Sequence, residues 1–185
     1  MRHFFILGSN PTLSTAEIMA VLPGQQFTAT EMYKQALIAD AAPDATLDAS
    51  AMMNVLGGTV KIGTIIAGPI PSSAQALAEL MIPYLEEKAR LLKKPVTYGI
   101  SVYALESDKP SGRAATAFQK FKNVGMETKR RLKEAGISAR FVRPQVGSSL
   151  TSVAVTKNKM IEEGAEFVVL TKGTDMLVGT TDLVQ

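Results

Sequence analysis

The stretch Gly57-Gly58-Thr59-Val60-Lys61-Ile62-Gly63-Thr64-Ile65-Ile66 decides the architecture of the first third of the chain. Gly58 and Gly63 have the spacing of the two glycines in a phosphate-binding loop, but the Lys-Ser/Thr that must follow the second glycine is missing and Thr64 comes directly. Nothing there reaches a β or γ phosphate. The glycines therefore serve backbone geometry, and the alternation of Val60, Ile62 and Ile66 predicts a turn followed by a strand with one buried face.

Upstream of that strand, Phe4 to Leu7 is an apolar strand, after which Asn10-Pro11 turns the chain. Ser14-Thr15-Ala16-Glu17 has the spacing of a capping box, with Leu13 placed to staple onto Ile18, and predicts a helix over 14–22 that Pro23-Gly24 ends. Phe27-Thr28-Ala29 and Tyr33 to Ala39 read as two short strands, and Pro43-Asp44 precedes a short helix over about 47–54. The order is βαββαβ, which within the first 68 residues describes a ferredoxin-like split βαβ unit.

Downstream, Gly68-Pro69-Ile70-Pro71 reads as a linker, because two prolines in so short a run disfavour helix and central strand. Ser72 with Gln75 has capping-box spacing, and Leu77, Leu80, Met81, Tyr84 and Leu85 form one apolar helical stripe that Pro83 is expected to kink or split. Val96 to Ala104 is a strand with Tyr98, Ile100 and Val102 on one side. A loop over 105–113, a long helix over 114–135 ended by Gly136, a strand from Ala139 to Val142, a loop over 144–148, a helix near 150–162 and strands near 165–171 and 176–180 complete the chain. The expected class is α+β, with a ferredoxin-like domain over 1–68 and a second, mixed α/β domain over 69–185.

Composition narrows the chemistry. The chain has no cysteine and one histidine, His3, which excludes disulfides, thiolate zinc sites, a cysteine nucleophile and a multi-histidine metal site. The adjacent pairs Glu86-Glu87 and Glu162-Glu163 do not face each other on a helix, so acid/base catalysis has no candidate pair. No apolar run approaches the roughly 18–20 residues of a membrane span, and the opening apolar run stops at Gly8. The expectation is a cytoplasmic protein with no membrane contact.

Charge is uneven. Residues 1–95 hold 7 Lys/Arg against 8 Asp/Glu, residues 96–147 hold 10 against 4, and residues 148–185 hold 3 against 5. A local excess of cations is the electrostatic footprint of a phosphate-binding surface. Along the long helix, Phe118, Phe121, Gly125 and Leu132 cluster on a core-facing stripe. Lys122, Lys129 and Lys133 flank it on one side and Arg113, Lys120 and Arg131 on the other, with Arg130 outside both. A solvated helix whose basic residues lie along the core edge accounts for the same pattern. Arg140 and Arg143 after the helix, and Thr156-Lys157-Asn158-Lys159 beyond them, add donors of the kind that meet phosphate and sugar oxygens. The candidate contact set is Lys122, Lys129, Arg130, Arg131, Lys133, Arg140, Arg143, Lys157, Asn158 and Lys159. With few aromatic residues to stack on bases, recognition of shape and backbone is expected over sequence readout.

Several blocks carry a family resemblance. Phe5-Ile6-Leu7-Gly8-Ser9-Asn10-Pro11, the 57–63 stretch, Tyr98-Gly99-Ile100-Ser101-Val102-Tyr103, Lys129-Arg130-Arg131-Leu132-Lys133, Arg140-Phe141-Val142 and Ser149 to Phe167 resemble the tRNA guanosine-N2-methyltransferases that act at position ten of tRNA. The resemblance implies a ferredoxin-like domain followed by a THUMP domain that binds the acceptor-stem end of tRNA. It favours Lys129, Arg130, Arg131, Lys133, Arg140, Lys157 and Lys159 as RNA contacts and adds Lys61. Members of that family continue into a Rossmann-type domain that binds S-adenosylmethionine and carries an Asp-Pro-Pro-Tyr motif, neither of which this sequence contains. No cofactor is expected in the chain itself. The implied activity needs a methyltransferase domain in cis or in trans, and the alternative is a non-catalytic adaptor whose Met-rich Ala49 to Met53 region docks a separate enzyme. A small-molecule sensor is a third possibility, because fold does not fix function.

Overall fold

A computed structural model describes residues 1–106 and 110–185, with the side chains of 110–113 outside the description. The elements are β1 (Arg2–Leu7), α1 (Pro11–Val21) with a tight helical turn at its end (Leu22–Gln25), β2 (Phe27–Met32), β3 (Ala36–Ala41), α2 (Ala49–Val55) and β4 (Thr59–Pro71). They continue as α3 (Ala74–Leu92), β5 (Val96–Ala104), α4 (Pro110–Phe121), α5 (Val124–Glu134), β6 (Ala139–Val142), α6 (Ser152–Lys157), α7 (Met160–Glu163), β7 (Gly164–Lys172) and β8 (Asp175–Val184). The expected loop over 105–113 falls partly on residues 107–109, outside the described residues, and α4 takes its second half.

The strands form one sheet in the order β2-β3-β1-β4-β8-β7-β5-β6. Its first four strands are all antiparallel, which is the ferredoxin-like arrangement expected from βαββαβ. In the other half β5 runs parallel to β6 and β7, and β8 returns antiparallel to join β4. The expected α+β class holds.

Among the described residues three large cores fill the structure, beside a smaller cluster of Leu150, Val155 and Met160. Helices α1 and α2 cover one face of the first half, packing Ile18, Leu22, Met52 and Leu56 on Phe5, Leu37 and Ile62. Helices α3 and α5 cover one face of the second half, packing Leu77, Met81, Leu85 and Leu132 on Tyr98, Ile100, Val102, Phe167 and Val169. The remaining faces meet each other: Phe4, Ile6 and Ile38 pack with Tyr103, Val168, Leu170 and Leu177. The sheet bends enough for this because the β4–β8 ladder changes register at three places, and bulges increase local twist.

Several local expectations change. Asn10, not Ser14, caps α1, its side chain accepting from the Leu13 amide at 3.2 Å. The Ser14 hydroxyl donates instead to the carbonyls of Asn10 and Gly58, and Glu17 accepts from the Gly58 amide at 2.9 Å. The pair that looks like a capping box thus clamps the turn before β4. A Cβ on Gly58 would sit 2.4 Å from the Ser14 hydroxyl oxygen, so glycine is required by this approach. Leu13 is exposed and staples nothing. Ser73, one residue later than expected, caps α3, and α3 runs through Pro83 without splitting.

The expected linker is strand. Ile70 and Pro71 pair with Met176 and Asp175 of β8, while the pairing of β4 with β1 stops at Thr64. Prolines are tolerated where one side of the strand needs no amide donor. The long helix is two, α4 and α5, broken at Lys122-Asn123, and the helix near 150–162 is likewise α6 and α7. Met52 is buried and Met53 packs against the same core, so the Ala49 to Met53 region owes its methionines to packing.

Lys61 and Glu166 form a fully buried ion pair across the two halves of the sheet. Lys61 Nζ also donates to the Leu150 carbonyl at 2.7 Å, and Glu166 accepts from Ser101 Oγ at 2.5 Å and Thr181 Oγ1 at 2.6 Å. Taking one partner away leaves an uncompensated buried charge, which costs about 3–5 kcal/mol. Lys61→Met is therefore expected to lower unfolding stability by about that amount in urea denaturation, and adding Glu166→Leu to recover most of it. Full stability in Lys61→Met alone would contradict this role.

Candidate nucleic-acid interface

Helices α3 and α5 run parallel, because each leads into the start of a parallel strand. The two helices line a cavity of about 430 Å³ through the start of α3, at Ala74, Gln75, Ala78 and Glu79, and the α5 side chains of Val124, Glu127 and Arg131, with Asn123 ahead of them. Their carboxy-terminal ends line another of about 570 Å³, between Glu86, Ala89, Arg90, Lys93, Lys94 and Pro95 on one side and Ala135 to Ser138 on the other. The Tyr98 hydroxyl donates to the Gly125 carbonyl at 2.5 Å, and a Cβ on Gly125 would lie 2.1 Å from the Phe141 ring. That close approach seats α5 on β5 and β6.

The cations of α5 divide by their partners. Lys129 and Lys133 are exposed and line a cavity of about 350 Å³ with Gly136 to Ala139. Arg130 pairs with Glu127 at 2.6 Å and also with Glu134, and Arg131 pairs with Glu127 at 2.9 Å. Hydrogen bonds from Arg130 and then Arg131 pull the Glu127 carboxyl down to about 2. The same partners raise Arg130 above the ordinary guanidinium range. Lys122 is exposed in the break between α4 and α5, while the Arg113 side chain lies outside the description.

β6 is one of the two edge strands of the sheet. Phe141 packs toward α3 and α5 while Val142 packs with Leu150, Val155 and Met160 on the opposite face. By strand alternation Arg140 lies on the Val142 face, and the Arg143 guanidinium sits 5.7 Å from the centre of the Phe141 ring. On that Val142 face the α6–α7 turn presents Lys157 and Lys159 as exposed side chains, whereas Asn158 Nδ2 donates to the Ala154 carbonyl at 2.7 Å. The ten sequence-selected residues therefore occupy both faces of the sheet.

Lys129 and Lys133 on one face and Lys157 and Lys159 on the other lie toward the end where β5, β6 and β7 begin, whereas Lys122 ahead of α5 and Arg143 beyond β6 lie toward the other end. Lys94 and Lys159 approach the same Glu163 oxygen, at 3.9 and 3.8 Å. Lys93 and Lys94 were not among the sequence-selected residues, since a charge count closed at residue 95 averages them into a balanced segment. Their position in Lys93-Lys94-Pro95, directly before a strand, was the available signal. Lys61 belongs to the interior and is 1% exposed, so it is removed from the contact set.

His3 offers no catalytic arrangement. Its Nδ1 lies 3.3 Å from Thr64 Oγ1, which donates to Asp182 at 2.7 Å. The hydroxyl stands between imidazole and carboxylate, whereas a triad needs the imidazole in the middle. Burial, first, lowers the His3 pKa, and burial raises that of Asp182. Among the described residues no helix is long and apolar enough to cross a membrane.

No protein-family profile matches the chain, and no curated protein sequence matches it either. Solved structures do. PH1313 from Pyrococcus horikoshii OT3 superposes with a TM-score of 0.52 at 10% identity, over 97% of this chain and 54% of that one. A 4-thiouridine synthetase in complex with RNA and ATP superposes with a TM-score of 0.50 at 12% identity, over 100% of this chain and 42% of that one. At such identities the likeness is one of fold, and this chain spans about half the length of those proteins. That likeness in fold fits the expected α+β class, here one eight-stranded sheet with a ferredoxin-like antiparallel half and a mixed half.

Glu127 holds two of the guanidiniums that a polyanion would meet. Glu127→Gln is expected to raise affinity for bulk RNA about two- to fivefold and to steepen its salt dependence, read by fluorescence anisotropy. Weaker binding in that variant would show that Glu127 positions the arginines instead of competing for them.

Proposed function

We propose that the chain is the RNA-binding module of a tRNA-modifying enzyme, with residues 1–68 as a ferredoxin-like domain and 69–185 as a THUMP domain. The observation that carries this reading is the gathering of weakly paired cations, Lys129, Lys133, Lys94 and Lys159, around one end of the sheet. Exposed ion pairs at nearly 4 Å contribute little, so these ammonium groups exchange a carboxylate for a phosphate at small cost. The likeness in fold to a synthetase solved with RNA supports the same reading.

The finer reading follows the sequence resemblance. The module holds the acceptor-stem end of tRNA for guanosine-N2 methylation at position ten, in the cytoplasm, beside a methyltransferase domain in cis or in trans. That domain, not this chain, is where S-adenosylmethionine is expected to bind. Few exposed aromatic residues and many backbone-directed cations favour recognition of the tRNA by shape.

Purified chain should bind unfractionated tRNA with a Kd of about 1 µM or tighter, log affinity falling with log salt by about 0.9 for each phosphate contact. Lys129→Glu combined with Arg131→Glu should weaken it about tenfold or more, and removing the CCA end of the tRNA should weaken it as well. Unchanged affinity in the double variant would overturn the assignment of this surface.

A further inference from the structure

Two lysines hold a backbone conformation that suits glycine. Lys93, the carboxy-terminal cap of α3, has φ 52°, and Lys159, between α6 and α7, has φ 49°. Non-glycine residues carry a steric cost in this left-handed region, and asparagine and aspartate are the side chains that visit it most readily. Lysine has no local hydrogen bond to offer in return, so a purely structural need would be met better by glycine, as it is at Gly136 beyond α5, with φ 78°.

The two positions come from elements on opposite faces of the sheet, yet Lys159 itself and Lys94, the neighbour of Lys93 in sequence, both approach Glu163. Lys159 Nζ reaches the carboxylate oxygen that Lys94, the residue after Lys93, also reaches. Two ammonium groups thus share one carboxylate through long contacts, and Lys93 adds a third exposed cation beside them. Compensation of the α3 dipole does not require this density, because Arg90 already sits in the last turn. The cavity of about 570 Å³ opens next to Lys93 and Lys94, with Ile137 and Ser138 on its far side, and leads toward Lys133 through the shared wall at Gly136 to Ser138.

We propose that Lys93, Lys94 and Lys159 form a cradle for consecutive backbone phosphates of a bound RNA, carrying the strand around the end of the sheet from the α5 face to the α6–α7 face. This rests on the RNA-binding reading above and adds to it a defined phosphate track through two lysines that the charge pattern of the sequence does not mark. Glu163 holds the exposed Lys94 and Lys159 ammonium groups only loosely, at 3.9 and 3.8 Å, and phosphate oxygens replace it at little cost.

The left-handed geometry makes the test clean, because replacing these lysines with glycine removes charge while relieving the backbone. The full chain carrying Lys93→Gly and Lys159→Gly should melt at or above the wild-type Tm and bind unfractionated tRNA about tenfold more weakly, its log–log salt slope shallower by about two. Lys94→Gln, on ordinary backbone, should weaken binding severalfold with a slope change of about one. Wild-type affinity and slope in all three substitutions would overturn the cradle while leaving the RNA-binding reading intact. Failure of the wild-type chain to bind tRNA at all would overturn both.

Discussion

The buried contact between Lys61 and Glu166 is the constraint on which the arrangement of this protein depends. It joins β4, from the first half of the chain, to β7, from the second, inside a region where neither charge has access to water. Ser101, Thr181 and the Leu150 carbonyl complete the partners of the pair, so β5, β8 and the segment entering α6 are drawn to the same point. Buried charges persist only where their partners are nearly complete. One side-chain network therefore fixes how the two halves of the sheet face each other, and with it the third core of Phe4, Ile38, Val168 and Leu170.

From that fixed frame the cationic surface follows. Parallel β5, β6 and β7 start at one end, so the segments that precede them converge there: Lys93-Lys94 ahead of β5, Gly136 to Ser138 ahead of β6, and α7 with Lys159 ahead of β7. The Leu150 carbonyl held by Lys61 sets the approach of α6 and α7 to this end. Ion pairing then grades the surface. Arg130 and Arg131 are tightly held by Glu127, while Lys94 and Lys159 share Glu163 loosely. Under the proposed function, a polyanion would meet the lysines first and gain the arginines only by displacing a carboxylate.

The fold was largely legible in the sequence because period-two and period-3.6 apolar patterns are strong where one face is buried. Strand β5 and the cover helix α3 follow directly from Tyr98, Ile100, Val102 and from Leu77, Met81, Leu85. Polar residues were harder. Ser14 and Glu17 have the spacing of a local cap but act over a distance of more than forty positions, on the Gly58 turn. Lys61 reads as one more exposed cation on an alternating strand, since its partner lies 105 positions away and nothing local announces it. The break at Lys122-Asn123 is a tertiary choice too, for Gly125 must reach Phe141. For the candidate interface, charge counting found the α5 cations but divided the chain at the point where Lys93 and Lys94 join them.

The central claim is that RNA lies against the end of the sheet where β5, β6 and β7 begin, in a frame set by the buried pair. Photo-crosslinking of the intact chain to unmodified tRNA, with the crosslinked peptides identified by mass spectrometry, tests it most directly. The account predicts crosslinks in peptides containing Lys93 and Lys94, Lys129 to Arg143, and Lys157 to Lys159. Crosslinks confined to α1, α2 and the β2–β3 hairpin, with none at that end of the sheet, would contradict it.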